Sequence, residues 1–221
     1  MPYISTRDGH VPPERLPFEA ALVSGLARDG GLYVPQTWPR LDHDTIAAFA
    51  GQSYAEIAAK VIEPFLDGVI EGPAWRRMVE SAYRSFAHEA VAPLKQIDAG
   101  LWLMELFHGP TLAFKDYALQ LMGPLLDAVL TRRGERVTVV GATSGDTGSA
   151  AIEACRDRAS VDLFILYPHG RVSEVQRRQM TTVPSSNVHA IAVEGTFDDC
   201  QDLVKAMFAD TAFRNAMNLS A

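Results

Sequence analysis

The sequence predicts an α/β fold, a parallel sheet with flanking helices, preceded by a mainly helical N-terminal domain. From about residue 100, strand-like apolar runs alternate with helical patterns at the spacing of a parallel sheet with right-handed crossovers. Before about residue 95, helical patterns mix with irregular segments punctuated by proline and glycine. The 221 residues, 48% of them hydrophobic, suffice for a buried core. We therefore expect a first domain over 1–95 and an α/β region over 96–221.

Apolar periodicity places the elements in chain order. Helical patterns lie near 43–50, 53–66 and 73–88, a strand-like run covers 101–107, and a helix follows from about residue 112. Three buried strands then alternate with helices: strands at 136–140, 161–167 and 188–193, helices at 147–158, 173–180 and 197–217. Ligands of open parallel sheets bind beyond the carboxyl ends of the strands. Candidate functional residues are therefore sought in the loops 108–111, 141–146, 168–172 and 194–196.

Composition excludes several classes of protein. The net charge of −7 argues against a nucleic-acid partner and against a polybasic membrane-surface protein. No apolar run reaches the length of a membrane span, and Met1–Asp8 lacks the features of a signal peptide. The two cysteines, Cys155 and Cys200, form no metal or redox motif, and we expect them to be reduced and buried. We therefore expect a cytoplasmic protein.

Lys115 is the first candidate functional residue. It follows a His-Gly-Pro-Thr turn, and a helix capped by Thr111 would place it among apolar side chains (Leu119, Met122 and Leu126), with polar ones (Asp116, Gln120 and Asp127) facing solvent. Desolvation turns a buried lysine into a nucleophile for Schiff-base chemistry. The alternative is a lysine whose aliphatic stem merely covers apolar surface.

The second candidate is the glycine-rich loop 141–148, Gly-Ala-Thr-Ser-Gly-Asp-Thr-Gly, between a buried strand and a helix. Small residues let a ligand approach the backbone, and a helix start offers free N–H groups. The loop matches neither a P-loop, nor G-x-G-x-x-G, nor G-x-S-x-G. A tight turn alone would need fewer glycines and hydroxyls, so we favour a site for a carboxylate or phosphate.

Several segments together resemble the threonine synthase family, fold-type-II enzymes that depend on pyridoxal 5'-phosphate. These segments are Ser5–Arg7, Asp29–Pro35, Phe107–Asp116, Thr143–Gly148, Tyr167–Ser173 and Gly195–Gln201. The lysine segment and the Ser-Gly-Asp-Thr-Gly sequence are highly specific in combination. The resemblance covers the whole chain. It implies that 1–95 is the family's N-terminal domain and that 96–221 is the first part of its catalytic region, without the C-terminal portion.

The resemblance implies the conversion of O-phospho-L-homoserine and water to L-threonine and phosphate, the last step of threonine biosynthesis. By resemblance, Lys115 is the catalytic lysine that holds the cofactor as a Schiff base and then moves protons on the substrate. Asp146 and Phe114 are implied to lie against the cofactor. For Phe114 a place in the core is an equal alternative.

Substrate binding is expected from four further residues. The resemblance implies that the glycine-rich loop, with Thr143, Ser144 and Thr147, holds an anionic group of the substrate. Arg171 is a candidate for the substrate phosphate because its planar fork matches that anion. The alternative for Arg171 is an ion pair with Glu174. His108 lies nearest to the site in sequence, and we expect it to be a turn residue with a backbone hydrogen bond.

Alternatives to threonine synthase remain at this point. One is a threonine-synthase-like phospholyase that eliminates phosphate without making threonine. The other is a catalytically incomplete fragment that acts as an interaction module, since family members are longer and this chain lacks the cofactor's usual phosphate-binding loop. An incomplete sheet would leave an exposed edge and apolar surface. No metal is expected, and the sequence leaves the oligomeric state open.

Overall fold

The computed structural model describes residues 1–10 and 12–220, so that Val11 and Ala221, the last residue of the predicted catalytic region, lie outside it. The chain divides into two compact units. The first is Met1–Arg84 and the second begins at Ser85.

The first unit is mainly helical, as predicted. Its strands β1 (Tyr3–Ser5) and β2 (Tyr33–Pro35) pair antiparallel, and its helices are α1 (Phe18–Ser24), α2 (His43–Ala47), α3 (Tyr54–Ile62) and α4 (Gly72–Tyr83). The three helices predicted near 43–50, 53–66 and 73–88 are confirmed with tighter bounds. Trp75 is 1% exposed, and its indole N–H donates to the carbonyl of Ala59 at 2.9 Å, which joins α4 to α3.

The second unit opens with a hairpin of β3 (Leu94–Asp98) and β4 (Leu101–Met104), which pair antiparallel. The loop 108–111 was expected to follow a strand of the parallel sheet, and this was wrong. The turn at Ala99 and Gly100 folds β4 back onto β3, so these two strands form a sheet of their own. Every residue of both strands is exposed.

The parallel sheet follows. Within the described residues it has the strands β5 (Val137–Ala142), β6 (Val161–Pro168), β7 (Val188–Val193) and β8 (Leu219–Ser220), in the order β7-β6-β5-β8. The helices are α5 (Asp116–Arg133), α6 (Asp146–Cys155), α7 (Glu174–Thr181), α8 (Phe197–Ala209) and α9 (Thr211–Ala216). The predicted α/β fold with flanking helices is confirmed.

Two details of the sheet region differ from the prediction. The helix predicted over 197–217 is interrupted at Asp210, whose backbone is extended (φ −75°, ψ 95°) and whose side chain caps α9 by accepting from the N–H of Phe213. β8 is too short for apolar periodicity to indicate, and it adds a fourth strand beside β5.

Part of the core lies where α8 covers β5 and β6. Val140, Leu166, Cys200 and Leu219 are buried there in one cluster, with Val204, Met207 and Phe208 of α8 packed against them. In the part of the chain that the structure describes, no helix is long and apolar enough to cross a membrane.

Candidate active site

The glycine-rich loop joins β5 to α6 and is folded around the side chain of Thr143. Thr143 is 2% exposed, and its hydroxyl oxygen accepts from the N–H groups of Gly145 at 3.0 Å and of Gly148 at 2.8 Å. Its own N–H donates to the carbonyl of Leu166 in β6 at 2.9 Å. Thr143 therefore holds the loop together from inside. A direct contact of Thr143 with substrate stays a prediction. The inward orientation of its hydroxyl group does not favour that contact.

Two glycines of the loop occupy positions without room for a side chain. Gly145 has φ +138°, and a Cβ there would lie 2.2 Å from Oε1 of Gln176. A Cβ on Gly148 would lie 2.5 Å from Cγ2 of Thr143 and 2.9 Å from Sδ of Met180. The missing side chains thus let α7 pack directly against the loop.

The outward groups of the loop form a surface suited to an anion. Ser144, Asp146 and Thr147 are exposed, and within the described residues the hydroxyls of Ser144 and Thr147 make no hydrogen bond. The first turn of α6 also leaves backbone N–H groups without an intrahelical acceptor. Hydroxyls and N–H groups at a helix N-terminus bind a carboxylate or phosphate well.

The turn before α5 is closed by the buried carboxylate of Asp116, which is 0% exposed. Asp116 accepts from the N–H of Thr111 at 2.8 Å, from the Thr111 hydroxyl at 2.9 Å and from the Gln120 amide at 3.0 Å. A Cβ on Gly109 would lie 2.4 Å from Asp116. The carboxylate of Asp116 therefore fixes the segment 109–115, which we call the lysine turn, against the start of α5.

Lys115 stands at the end of this turn, where it is the N-cap residue of α5. It is half-buried, and its Nζ lies 4.8 Å from the centroid of the Phe114 ring. No hydrogen bond or ion pair of this amine occurs within residues 1–10 and 12–220. An amine held near an aromatic ring, with no competing polar partner, is available to a carbonyl carbon.

The predicted helix geometry around Lys115 was wrong in two respects. The helix begins at Asp116 rather than after Thr111, because Leu112 adopts φ +62° and interrupts it. The predicted faces are also reversed in part, since Asp116 and Gln120 are buried whereas Met122 is 40% exposed. The two polar side chains are buried because they bind each other and the lysine turn. Phe114 is 54% exposed, so it is not a core aromatic residue.

The packing of α5 on α6 brings the two candidate segments to the same end of the unit. Gln120 of α5 donates to the carbonyl of Ala150 of α6 at 3.3 Å. About one turn further along both helices, Gly123 lies against the carbonyl of Ala154. These contacts advance in the same direction along both helices, so α5 and α6 begin side by side. The lysine turn and the glycine-rich loop precede these two starts and are therefore neighbours.

Helix α7 contacts both segments, which sequence reasoning missed. Gln179 donates its amide N–H to the carbonyl of Thr111 at 3.0 Å, and Gln176 donates to Oδ1 of Asp146. Ser173 and Gln176 have the spacing of a capping box, and Ser173 does accept from the N–H of Gln176 at 3.2 Å. That spacing explains the helix start but gives no sign that the Gln176 side chain reaches another loop.

Arg171 is exposed in the loop after β6, next to Gly170 with φ +66°. The alternative ion pair with Glu174 does not form, because Glu174 binds Arg177 at 2.7 Å and Arg178 at 2.9 Å. Hydrogen bonds from these two guanidinium groups lower the pKa of Glu174 to about 2. Within the described part of the chain, Arg171 has no ion pair, which leaves its guanidinium available to an anion.

The expected backbone hydrogen bond of the His108 side chain is replaced by a carboxylate contact. His108 Nε2 lies 2.8 Å from Oε2 of Glu105, and its ring centroid lies 5.0 Å from that of His88. In the residues described, no group of three His, Cys, Asp or Glu side chains is placed to hold a metal ion.

Comparisons with known proteins point to one family. Residues 2–83 match the family model "Threonine synthase N terminus", and residues 86–220 match "Pyridoxal-phosphate dependent enzyme". A curated threonine synthase of Pseudomonas aeruginosa is 58% identical over 100% of this chain and 46% of its own length.

Solved structures give the same result. The crystal structure of a pyridoxal-phosphate-bound threonine synthase from Brucella melitensis superposes with a TM-score of 0.90 at 56% identity, over 100% of this chain and 47% of that one. Threonine synthase from yeast gives a TM-score of 0.85 at 42% identity, over 100% and 45%. The chain thus spans about half the length of the relatives it matches.

Proposed function

The chain belongs to the family of pyridoxal-phosphate-dependent enzymes, and from that premise we propose that it is the N-terminal part of a threonine synthase. The reaction would convert O-phospho-L-homoserine and water to L-threonine and phosphate. The observation that carries the proposal is the unpaired Lys115 amine at one helix start, beside a second helix start that presents free hydroxyl and N–H groups. The match of 2–83 to the threonine synthase N terminus supports the choice within the family.

The residues present fit pyridoxal phosphate. Lys115 would hold the cofactor through Nζ, which within the described residues has no polar partner. Phe114 is exposed beside that amine and offers an apolar ring face, and Asp146 is exposed on the neighbouring loop. When bound, the cofactor supplies an electron sink for carbanions at the substrate. The enzyme would then belong to fold type II.

Ser144 and Thr147 would bind the substrate carboxylate, together with the N–H groups of the first turn of α6. Thr143 keeps these groups in place from inside the loop. Arg171 would bind the substrate phosphate with its paired N–H donors. Both anionic ends of the substrate would thus meet donors, which orients the carbon atoms between them toward Lys115.

Lys115 would move protons on the substrate. Its amine lies next to Phe114 rather than next to a carboxylate that would hold it in an ion pair. A positioned amine that takes a proton from one carbon and returns it to another contributes general acid–base catalysis. The protein would be cytoplasmic, which its two free, buried thiols support.

The test uses the complete protein to which this chain belongs. After incubation with pyridoxal phosphate and borohydride, we expect one reduced adduct, located by peptide mass spectrometry on Lys115. Peptide mass spectrometry distinguishes Lys115 from the other three lysines of this chain (Lys60, Lys95 and Lys205) and from any lysine elsewhere in the complete protein. Lys115→Ala should abolish the adduct, whereas Lys60→Ala, at an exposed lysine bound to Gln52, should keep it.

Product analysis then separates the remaining alternatives. Threonine and phosphate in equal amounts support the proposal. Phosphate without threonine would assign the site to a phospholyase. No adduct on Lys115 in the complete protein would overturn the enzymatic assignment and leave the interaction module.

A further inference from the structure

Two glutamines on α7 bind the two halves of the candidate site. Gln176 and Gln179 are three residues apart and therefore lie on one face of the helix. Gln179 donates to the carbonyl of Thr111 in the lysine turn at 3.0 Å. Gln176 donates to Asp146 in the glycine-rich loop. One rigid element is thus bonded to the segment before Lys115 and to the segment that would bind substrate.

The amide of Gln176 is oriented by Ser173, the N-cap residue of α7. The hydroxyl of Ser173 donates to Gln176 Oε1 at 2.9 Å, which leaves the amide nitrogen to face Asp146. The carboxylate of Asp146 therefore receives a donor from a fixed direction. Gly145 adds to this arrangement, because its missing Cβ makes the space that the Gln176 side chain occupies.

Gln179 completes the bonding of Thr111. The N–H and the hydroxyl of Thr111 both donate to Asp116, and its carbonyl accepts from Gln179. All polar groups of this residue are therefore engaged, two with the start of α5 and one with α7. Without Gln179 the described chain offers the lysine turn no side-chain bond to α7.

We propose that Gln176 and Gln179 are positioning residues, which set the placement of the lysine turn against the glycine-rich loop. This inference rests on the proposed function, since it concerns the same site. Each glutamine acts through another residue: Gln179 through Thr111 on the turn that ends at Lys115, and Gln176 through Asp146. The Lys115 amine and the anion-binding groups of the glycine-rich loop would then stay at the distance at which both can contact the same substrate molecule.

The first experiment needs no cofactor. Hydrogen–deuterium exchange is measured on the complete enzyme without pyridoxal phosphate, for the isosteric apolar variants Gln179→Met and Gln176→Met. We expect Gln179→Met to speed amide exchange in 109–116 by about fivefold, because one hydrogen bond to that segment is lost. Exchange in 143–148 should stay unchanged. Gln176→Met should do the reverse. Each variant is thus the control for the other.

A third variant tests whether helix stability alone is responsible. Arg178→Ala removes an exposed side chain of α7 whose partner is Glu174 on the same helix. We expect it to leave both segments unchanged. Equal effects of Arg178→Ala and Gln179→Met on exchange in the lysine turn would overturn the proposal. The proposal would also fail if the lysine turn of Gln179→Met exchanged at the same rate as in wild type.

The second experiment follows Lys115 itself. The rate of adduct formation on Lys115 with pyridoxal phosphate and cyanoborohydride should fall about fivefold in Gln179→Met. In Gln179→Glu the rate, relative to wild type at the same pH, should rise as the pH falls, because a protonated carboxyl regains a donor for the Thr111 carbonyl. A pH-independent ratio would contradict the positioning role. Absence of the wild-type adduct would instead contradict the proposed function, while the exchange measurement still decides this inference.

Discussion

Gly123 of α5 lies against the carbonyl oxygen of Ala154 in α6, so closely that a Cβ at residue 123 would be 2.3 Å from that oxygen. The approach is backbone to backbone, and no rotation of a side chain could relieve it. Together with the bond from Gln120 to Ala150, it sets the alignment of the two helices whose first residues carry the candidate site.

We expect Gly123→Ala to destabilise the second unit. The added methyl group must push α5 away from α6, and such overpacking typically lowers the free energy of unfolding by about 1–3 kcal/mol. Urea unfolding of the 221-residue chain, followed by circular dichroism, measures the change. Gly100→Ala is the matched control, because a Cβ there meets nothing within 4 Å and should change stability by less than about 0.5 kcal/mol. Equal effects of the two substitutions would contradict the packing argument.

The buried carboxylate of Asp116 gives a second prediction. Asp116→Asn keeps the volume but replaces one acceptor oxygen by an NH₂ group, which would face either the N–H or the hydroxyl of Thr111. Because hydrogen bonds to charged groups contribute more than neutral ones, we expect a loss of about 2 kcal/mol in the free energy of unfolding. Urea unfolding measures it, with faster deuterium exchange in 109–116 as the local signature.

Asp202→Asn is the control for Asp116→Asn. Asp202 is exposed on α8 and binds Lys205 at 2.9 Å. Pairs of this kind contribute less than about 1 kcal/mol. If Asp116→Asn were no more damaging than Asp202→Asn, the carboxylate would not hold the lysine turn.

The two cysteines should be unreactive in the folded chain. Burial raises the pKa of the Cys155 thiol to about 11, and burial also raises that of Cys200. At pH 8 only about one Cys155 thiol in a thousand would then be ionised, and the thiolate is the reactive form. In buffer at that pH, Ellman's reagent should release less than about 0.1 equivalent of thionitrobenzoate per chain. In denaturant both thiols should react. Ala118→Cys, at an exposed position of α5, provides a reactive reference thiol.

Strands β5, β6 and β7 could be predicted because each is a short apolar run between turn residues. The predicted third strand, 188–193, has the bounds that the structure shows. The antiparallel pairing of β4 could not be predicted, since an apolar run does not show which strand it pairs with or in which direction. Its neighbour β3 contains Lys95, Gln96 and Asp98, which do not alternate clearly with apolar residues.

The sequence shows which residue types the candidate site contains, but it does not show how their side chains are oriented. The sequence treats Thr143, Ser144 and Thr147 as equivalent hydroxyls, whereas the structure turns Thr143 inward and leaves the other two outward. The difference arises from the N–H groups of Gly145 and Gly148, which converge on a single oxygen. The buried position of Asp116 was missed for a similar reason, because periodicity assumes that polar side chains face water.

The capping box at the start of α8 gives a pH prediction. The N–H and hydroxyl of Thr196 both donate to Asp199, which lowers the pKa of that carboxyl, and Arg171 lowers it further by its charge. A carboxyl whose pKa is lower in the folded than in the unfolded chain stabilises the fold above its unfolded pKa. That contribution is lost as the pH falls through the folded pKa. The melting temperature of Asp199→Asn should therefore lie below that of wild type at pH 7, and the difference should shrink toward zero as the pH falls below about 4.

Asp198→Asn separates this effect from a general loss of negative charge at the helix start. Asp198 lies in the same first turn, but no side-chain hydrogen bond of it occurs within the described residues. Both variants remove one charge from the positive end of the helix dipole, and only Asp199→Asn also disturbs the bonds to Thr196. Asp199→Asn should therefore lower the melting temperature at pH 7 more than Asp198→Asn does. Equal melting temperatures of the two variants at pH 7 would mean that the helix dipole, rather than the capping box, lowers the pKa of Asp199.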